Sequence, residues 1–373
     1  MKLLLSITIF IISLAIVPSL YGQIEESEHP VCGRDEAMAR MTKEARDQMI
    51  ASSTAFQASE LMIYLNFDGA TIRPGPENAG NLTSSIVRCN CPAPTLTQAQ
   101  KDEVIKRVAD DYSPFNIRVT TDQAEFLAYP SQFREMVIVT TFPGVVGFPN
   151  GVGGVAPWVG DRFRLPNSIS FVFASAFSND PSDVASVISH ESGHQLGLDH
   201  QHRFSPTCDF FGEYHPGFGS GPLAFSPIMG IGLAGIDNWF TQTCADPTNQ
   251  YFQNDYSKIN DQVTVRTDDF PDSPSGSPQP NGPITGVLEH GYDVDYVRVK
   301  FRNPGPATIS SDNIDLKVSV LSGGGEVIAV YNDPDSTNVT IPSVHGTRYL
   351  RIEGESNANM SSVFMTGTYR ITN

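Results

Sequence analysis

Apolar and polar positions change rhythm several times along the chain. A charge-free, largely apolar run follows Lys2, and residues 23 to 58 are then charged and rich in Met and Ala ("CGRDEAMARMTKEARDQMIAS"), with helical spacing. From Leu61 the text becomes "LMIYLNFD", a β-type run closed by Gly69. "TQAQKDEVIKRVADDY" predicts the first firm helix, because Thr97 and Gln100 form a capping-box pair and Val104, Ile105 and Val108 supply an apolar face. Strands are predicted at 115–121, 136–141 and 168–174, the last two separated by the Gly-rich run "GVVGFPNGVGGVAPW". A second helix opens at "NDPSDVASVISHESGHQLG". Asp180 suits its N-cap, Pro181 its first helical position and Asp183 the positive end of its dipole.

Beyond residue 270 the pattern dissolves into "FPDSPSGSPQPNGP", the composition of a linker. Residues 284–373 then alternate strand-like runs ("YVRVKF", "LKVSVL", "EVIAVY", "NVTIP", "RYLRIEG", "TYRIT") with Gly, Asn and Asp turns, which predicts a small all-β sandwich. A length of 373 residues suits two folded domains. The expected order is a signal peptide at 1–22, a pro-segment at 23–58, an α+β domain at 59–270 with a mixed twisted sheet, a linker at 271–283 and the sandwich at 284–373.

Composition changes this picture in three respects. Lys2, the apolar run and helix-breaking Pro18 read as a secretory signal cleaved near Gly22, and no later segment approaches the length of a membrane span. The mature product is therefore expected outside the cytoplasm, extracellular or periplasmic, without an integral membrane segment. A formal net charge of -17 argues against nucleic acid or an anionic membrane as partner. Cysteines stand at 32, 89, 91, 208 and 244, in an export setting where disulfides persist. Cys208 with Cys244 is the first candidate pair. Cys89 and Cys91 lie too close in sequence to favour pairing with each other, which leaves either of them open to Cys32.

The densest chemistry is "HESGHQLGLDH" at 190–200. His190 and His194, four apart on a helix, project from one face and can reach one ion. Glu191, one step round, is placed to take a proton from water rather than to bind metal. Gly197 can end the helix at positive φ, so that His200 returns toward the same ion. Three neutral imidazoles leave one tetrahedral position open, the arrangement in which zinc lowers the pKa of a bound water from 15.7 toward roughly 7 and polarises a carbonyl. That chemistry suits amide hydrolysis.

The eleven residues match HExxHxxGxxH at each defining position, and "SPIMG" follows downstream, so the chain resembles the metzincin zinc endopeptidases. The resemblance implies Met229 as an apolar floor beneath the metal and protein or peptide substrates. It extends through "VADDYSPFNIRVTTD", "GVGGVAPW" and "FQNDYSKINDQV". Further on, "GYDVDYVRVKF", "NIDLKVSVL", "GGGEVIAVY" and "GTRYLRIEG" resemble the prepeptidase C-terminal domain of secreted proteases. Ile231 stands where astacin-like and serralysin-like relatives carry a zinc-linked tyrosine, so Tyr214 or Tyr256 would have to serve the oxyanion if any tyrosine does. His202 and His215 are read as surface or structurally satisfied. Cys32 beside Gly33 resembles the pro-segment cysteine that silences zinc in matrixin-like and pappalysin-like zymogens. By the same analogy residues 151–158 form the sheet edge that captures an extended peptide, and Met229 to about Ile236 line a substrate pocket. Calcium is a second candidate cation, with "NDPSD" and "DVD" as the acidic loops. The rival class is a secreted binding or adhesion protein with a structural zinc site, against which Glu191 counts, since a purely structural site needs no base.

Overall fold

The computed structural model describes residues 57–72, 88–156, 168–205, 207–231, 235–241, 253–280, 283–355 and 365–372, and the backbone alone at 31–32 and 302–304. The expected signal peptide and nearly all of the expected pro-segment lie outside the described residues. The chain is of mixed α+β class with strands in the majority. Its first part runs β1 (Val31–Cys32), β2 (Leu61–Asn66), β3 (Ala70–Ile72), β4 (Cys89–Cys91), α1 (Gln98–Asp111), β5 (Ile117–Thr120), α2 (Gln123–Ala128), β6 (Arg134–Thr140), β7 (Val152–Val155), β8 (Ile169–Phe173) and α3 (Pro181–Gln195). Next come β9 (Arg203–Phe204), β10 (Phe210–Gly212), β11 (Phe225–Pro227), β12 (Ile236–Asn238) and α4 (Asp255–Gln262).

Six of these strands form one mixed sheet in the order β1-β7-β8-β6-β2-β5. Strands β5, β2, β6 and β8 run parallel, and β7 turns antiparallel to β8. Both faces are covered, and for that reason β2 reads as a continuous apolar run and not an alternating one. Leu61, Ile63 and Leu65 join Val104 and Val108 of α1 and Val184 and Ile188 of α3 in one core, while Met62 and Tyr64 face Phe126 of α2. Helix α1 begins where the capping box places it: Gln100 N donates to Thr97 Oγ1 and Thr97 N to Gln100 Oε1. Helix α3 begins at Pro181, with Asp180 Oδ1 accepting from the backbone N–H groups of Ser182 and Asp183.

The second part runs β13 (Ile284–Leu288), β14 (Val294–Ser310), β15 (Leu316–Leu321), β16 (Val327–Asn332), β17 (Val339–Gly354) and β18 (Gly367–Thr372). The sequence leads one to expect a sandwich of two sheets. These strands instead form a single curled antiparallel sheet in the order β13-β18-β14-β17-β15-β16. The reason lies in two very long strands. Their pairing shifts register between Phe301 and Ala307, so β14 and β17 bend through irregularities without ending. "NVTIP" and "RYLRIEG" are accordingly one strand. The described part of the Pro-rich run, residues 271–280, lies along β14, with Tyr296 N donating to Pro271 O and Arg298 N to Pro278 O.

The two parts pack together. Phe225, Ile236 and Phe240 bury in the same core as Leu288, Val297, Leu350 and Tyr369. Asn238 donates to the carbonyls of Asn313 (3.1 Å) and Thr366 (2.8 Å) and accepts from Thr366 Oγ1. Thr368 Oγ1 donates to Asp110 Oδ1 on α1, and Lys106 pairs with Asp312.

Cys89 and Cys91, which their spacing disfavours as partners, form a close pair within β4, because alternate residues of a strand face the same way and their Cα atoms lie 5.2 Å apart.

Candidate metal centre

Almost every residue of the last three turns of α3 is buried, its two histidines included. His190 and His194 emerge one turn apart, and each imidazole is oriented by a backbone acceptor. His190 Nδ1 donates to Ile228 O and His194 Nδ1 to Leu198 O, both at 2.8 Å. The chain leaves the helix at Gly197, whose φ of 89° lies in the left-handed region that costs a side-chain-bearing residue about 1–2 kcal/mol. That turn brings back His200, whose Nδ1 donates to Glu213 Oε1 at 2.8 Å.

Carbonyl and carboxylate oxygens only accept, so each ring carries a proton on Nδ1, and a neutral ring then presents a lone pair on Nε2. One nitrogen from each ring lies within 4.8 Å of the other two, and His194 Nε2 stands 3.2 Å from His200 Nε2. Between neutral rings, lone pairs at that separation repel unless a proton or a metal ion lies between them. The triad therefore fits a metal ion, and three imidazoles suit zinc, copper, iron or nickel far better than calcium or magnesium.

Glu191 is fully buried beside the triad. Strand β7 passes against it so closely that a Cβ built on Gly154 would lie 2.3 Å from Glu191 Oε1. Met229 is also fully buried, and its sulfur would lie 2.5 Å from a Cβ on Gly193, which puts it under the helix between the two histidine turns. Its turn holds the ligand loop at two points: Ile228 O accepts from His190, and Met229 O accepts from Gln201 N at 2.7 Å.

The other candidates divide. Tyr214 packs at a tilt of 42° beside His200, with ring centroids 4.4 Å apart. Tyr256 turns away and donates to Glu289 O at 2.7 Å. His202 packs edge-on to Phe204 and Phe210. His215 accepts from Gly217 N, and its imidazole is pushed down to about 4 by burial and then by the charge of Arg203, so it is neutral at physiological pH. Ile236, expected to line a pocket, is buried in the second core, and residues 232–234 lie outside the described residues. The backbone of Cys32 pairs with Gly154 as β1 joins the edge of β7 in parallel. The side chain of Cys32 is not described.

Three supporting residues escape the motif. Glu213 is brought in by the β9–β10 hairpin. Gln253 clamps the backbone of Asp199, donating to its carbonyl at 2.7 Å and accepting from its N–H at 2.8 Å. Fully buried Asp255 accepts from Gln201, Gln253 and Phe240 N. Burial raises its carboxyl to about 7 in spite of those hydrogen bonds. Only an acid or amide near a predicted turn hints at any of them in sequence.

The acidic loops also divide. Asp180 in "NDPSD" is committed to the cap of α3, whereas "DVD" contributes to a carboxylate cluster. Oxygens of Asp268, Asp293 and Asp295, and of Asp268, Asp269 and Glu289, lie within 4.8 Å of one another in each group. Glu289, Asp293 and Asp295 are almost fully buried. Both side-chain oxygens of Glu289, and Oδ1 of Asp293 and of Asp295, meet no donor among the described residues. Burial first, then mutual repulsion, pushes the Glu289 carboxyl up to about 10 and raises Asp295 to about 9. Asp269 rises to about 6, again mainly by burial.

No protein-family model matches the chain, and no curated protein matches it. Among solved structures, PliG of Aeromonas hydrophila, a periplasmic inhibitor of g-type lysozyme, is similar over 24% of this chain and 83% of its own at 15% identity, with a TM-score of 0.20. The pre-peptidase C-terminal domain of collagenase from Bacillus anthracis is similar over 29% of this chain and 96% of its own at 14% identity and a TM-score of 0.19. PliG of Salmonella Typhimurium is similar over 25% and 94% at 17% identity and a TM-score of 0.18. Among the described residues no helix is long and apolar enough to cross a membrane. The chain is thus a mixed α+β protein with a buried histidine triad able to hold a metal ion, and each of these likenesses covers less than a third of it.

Proposed function

We propose that the protein is an exported zinc endopeptidase of metzincin type, made as a precursor. The observation that carries this reading is the convergence of three Nδ1-protonated imidazoles beside a buried glutamate that strand β7 confines. His190, His194 and His200 would hold zinc, which when bound lowers the pKa of water and polarises the scissile carbonyl. Glu191 takes the proton of the attacking water and returns it to the leaving amine. Met229 and Gly197 keep the ligands in place.

The edge of β7 is where an extended substrate would add as a strand. Val31–Cys32 pairs with that edge, so the N-terminal segment and a substrate compete for it, and the segment has to leave before cleavage. Cys32 as the thiolate that silences the precursor belongs to the same proposal.

Digestion of casein by the matured protein tests the reading. Cleavage should disappear after treatment with a zinc chelator and return on adding Zn2+. Absent or chelator-insensitive cleavage would instead favour a binding protein with a structural site.

The cluster of Asp268, Asp269, Glu289, Asp293 and Asp295 is the site for calcium, a hard cation that takes six to eight oxygen ligands. Its raised carboxyls make a signed prediction. Without a cation, their contribution is fully present below the unfolded values near 4. It is lost as pH rises through about 6, 9 and 10 for Asp269, Asp295 and Glu289. Calcium relieves that loss. At pH 8 saturating Ca2+ should raise the thermal midpoint by about 2–8 °C, and at pH 5 by much less. Equal shifts at the two pH values, or none at either, would remove calcium from the cluster.

A further inference from the structure

We propose that Glu213 is the positioning residue of the third imidazole and sets the affinity of the centre for its metal. The proposal rests on the metal-site reading above and extends it to a residue outside the motif. Two of the three imidazoles are oriented by backbone carbonyls, Ile228 O and Leu198 O. His200 Nδ1 instead donates to a side chain, the carboxylate of Glu213.

Glu213 follows directly on β10, and its strand segment is tied alongside the ligand loop. His215 N donates to Gln201 O at 2.6 Å and Gln201 N donates to Met229 O at 2.7 Å. Tyr214 meanwhile covers one side of the His200 ring. On that fixed backbone the carboxylate sets the orientation of the ring and selects the tautomer that presents Nε2.

Charge gives the arrangement a second effect. His200 is 1% exposed, whereas the Glu213 side chain is 44% exposed. A dication on three neutral imidazoles brings two uncompensated positive charges into a largely dry site. Glu191 supplies one negative charge beside them, and Glu213, hydrogen-bonded through His200, supplies the second. A charged acceptor also makes the imidazole a stronger donor to the metal than a neutral acceptor would.

The test measures Zn2+ binding by competition with a chromophoric chelator, using the whole protein stripped of metal and reloaded, alongside the thermal midpoint of the metal-free form. Glu213→Ala should weaken Zn2+ binding by about 10–100-fold, and Glu213→Gln, which keeps an acceptor without the charge, by less. The metal-free midpoint of Glu213→Gln, which keeps the acceptor, should match wild type, and that of Glu213→Ala should fall only slightly as the His200 N–H loses its partner. Binding by Glu213→Ala within twofold of wild type would overturn the proposal. So would a loss matched by an equal fall in metal-free stability, which marks a merely structural contact. A wild-type protein that binds no Zn2+ would overturn both this proposal and the peptidase reading. One that binds Zn2+ in the expected order of variants yet leaves casein intact would retire the peptidase reading alone.

Discussion

Glu191→Gln should leave zinc binding at its wild-type level and lower the rate of casein cleavage by about 10²–10⁴-fold, the usual contribution of a well-placed general base. The size of the loss follows from where the residue sits. Glutamine has the shape of glutamate and fits the fully buried space between α3 and β7, so the imidazoles keep their orientation through Ile228, Leu198 and Glu213. What disappears is the ability to accept a proton and hand it on. The comparison requires zinc content and cleavage rate measured on the same preparation. A variant that holds zinc and cleaves as fast as wild type would remove Glu191 from the proposed chemistry.

Gly154→Ala reaches the same carboxylate from the neighbouring strand. The added methyl would sit 2.3 Å from Glu191 Oε1, 2.7 Å from its Cγ and 2.8 Å from its Cδ. Gly154 is not among the residues at positive φ, so its backbone accepts alanine and the whole effect is the contact. Glu191 has no solvent to retreat into, and its carboxylate has to move by about an ångström, a displacement that can cost on the order of 10²-fold in rate. Cleavage should fall by about that factor while zinc stays bound. Wild-type cleavage by the alanine variant would show that the position of Glu191 is not confined by β7. Together the two substitutions separate losing the base from misplacing it.

What could be read in advance was local chemistry. Asp180 and Pro181 announce the start of α3, Thr97 and Gln100 announce α1, and the spacing of four between His190 and His194 needs only helical geometry. Gly197 supplies the turn within three residues of His200. Long-range features left no such trace. Strand β7 carries two adjacent glycines and so has no apolar alternation to reveal it; the family resemblance alone pointed to a sheet edge at 151–158, and nothing in the sequence pointed to its contact with Glu191. Glu213 reaches His200 only because the β9–β10 hairpin folds back, and Gln253 reaches Asp199 across 54 residues. The carboxylate cluster draws on both sides of a Pro-rich run whose path no local pattern fixes. A curled sheet and a sandwich have the same alternation. Only the register shifts near Phe301 and Gly305 distinguish them.

The packing of β11 and β12 into the second core bears on how the molecule comes apart. His190 is oriented by Ile228 O, and Ile228 N in turn donates to Asn238 O. The side chain of Asn238 is fastened to Asn313 and Thr366 in the C-terminal sheet. Phe225, Ile236 and Phe240 have their apolar surroundings there as well. Opening that sheet would remove the partners of Asn238, and with them part of the support of the methionine turn. Clipping the C-terminal sheet from the chain would take with it part of the interior on which the histidines depend.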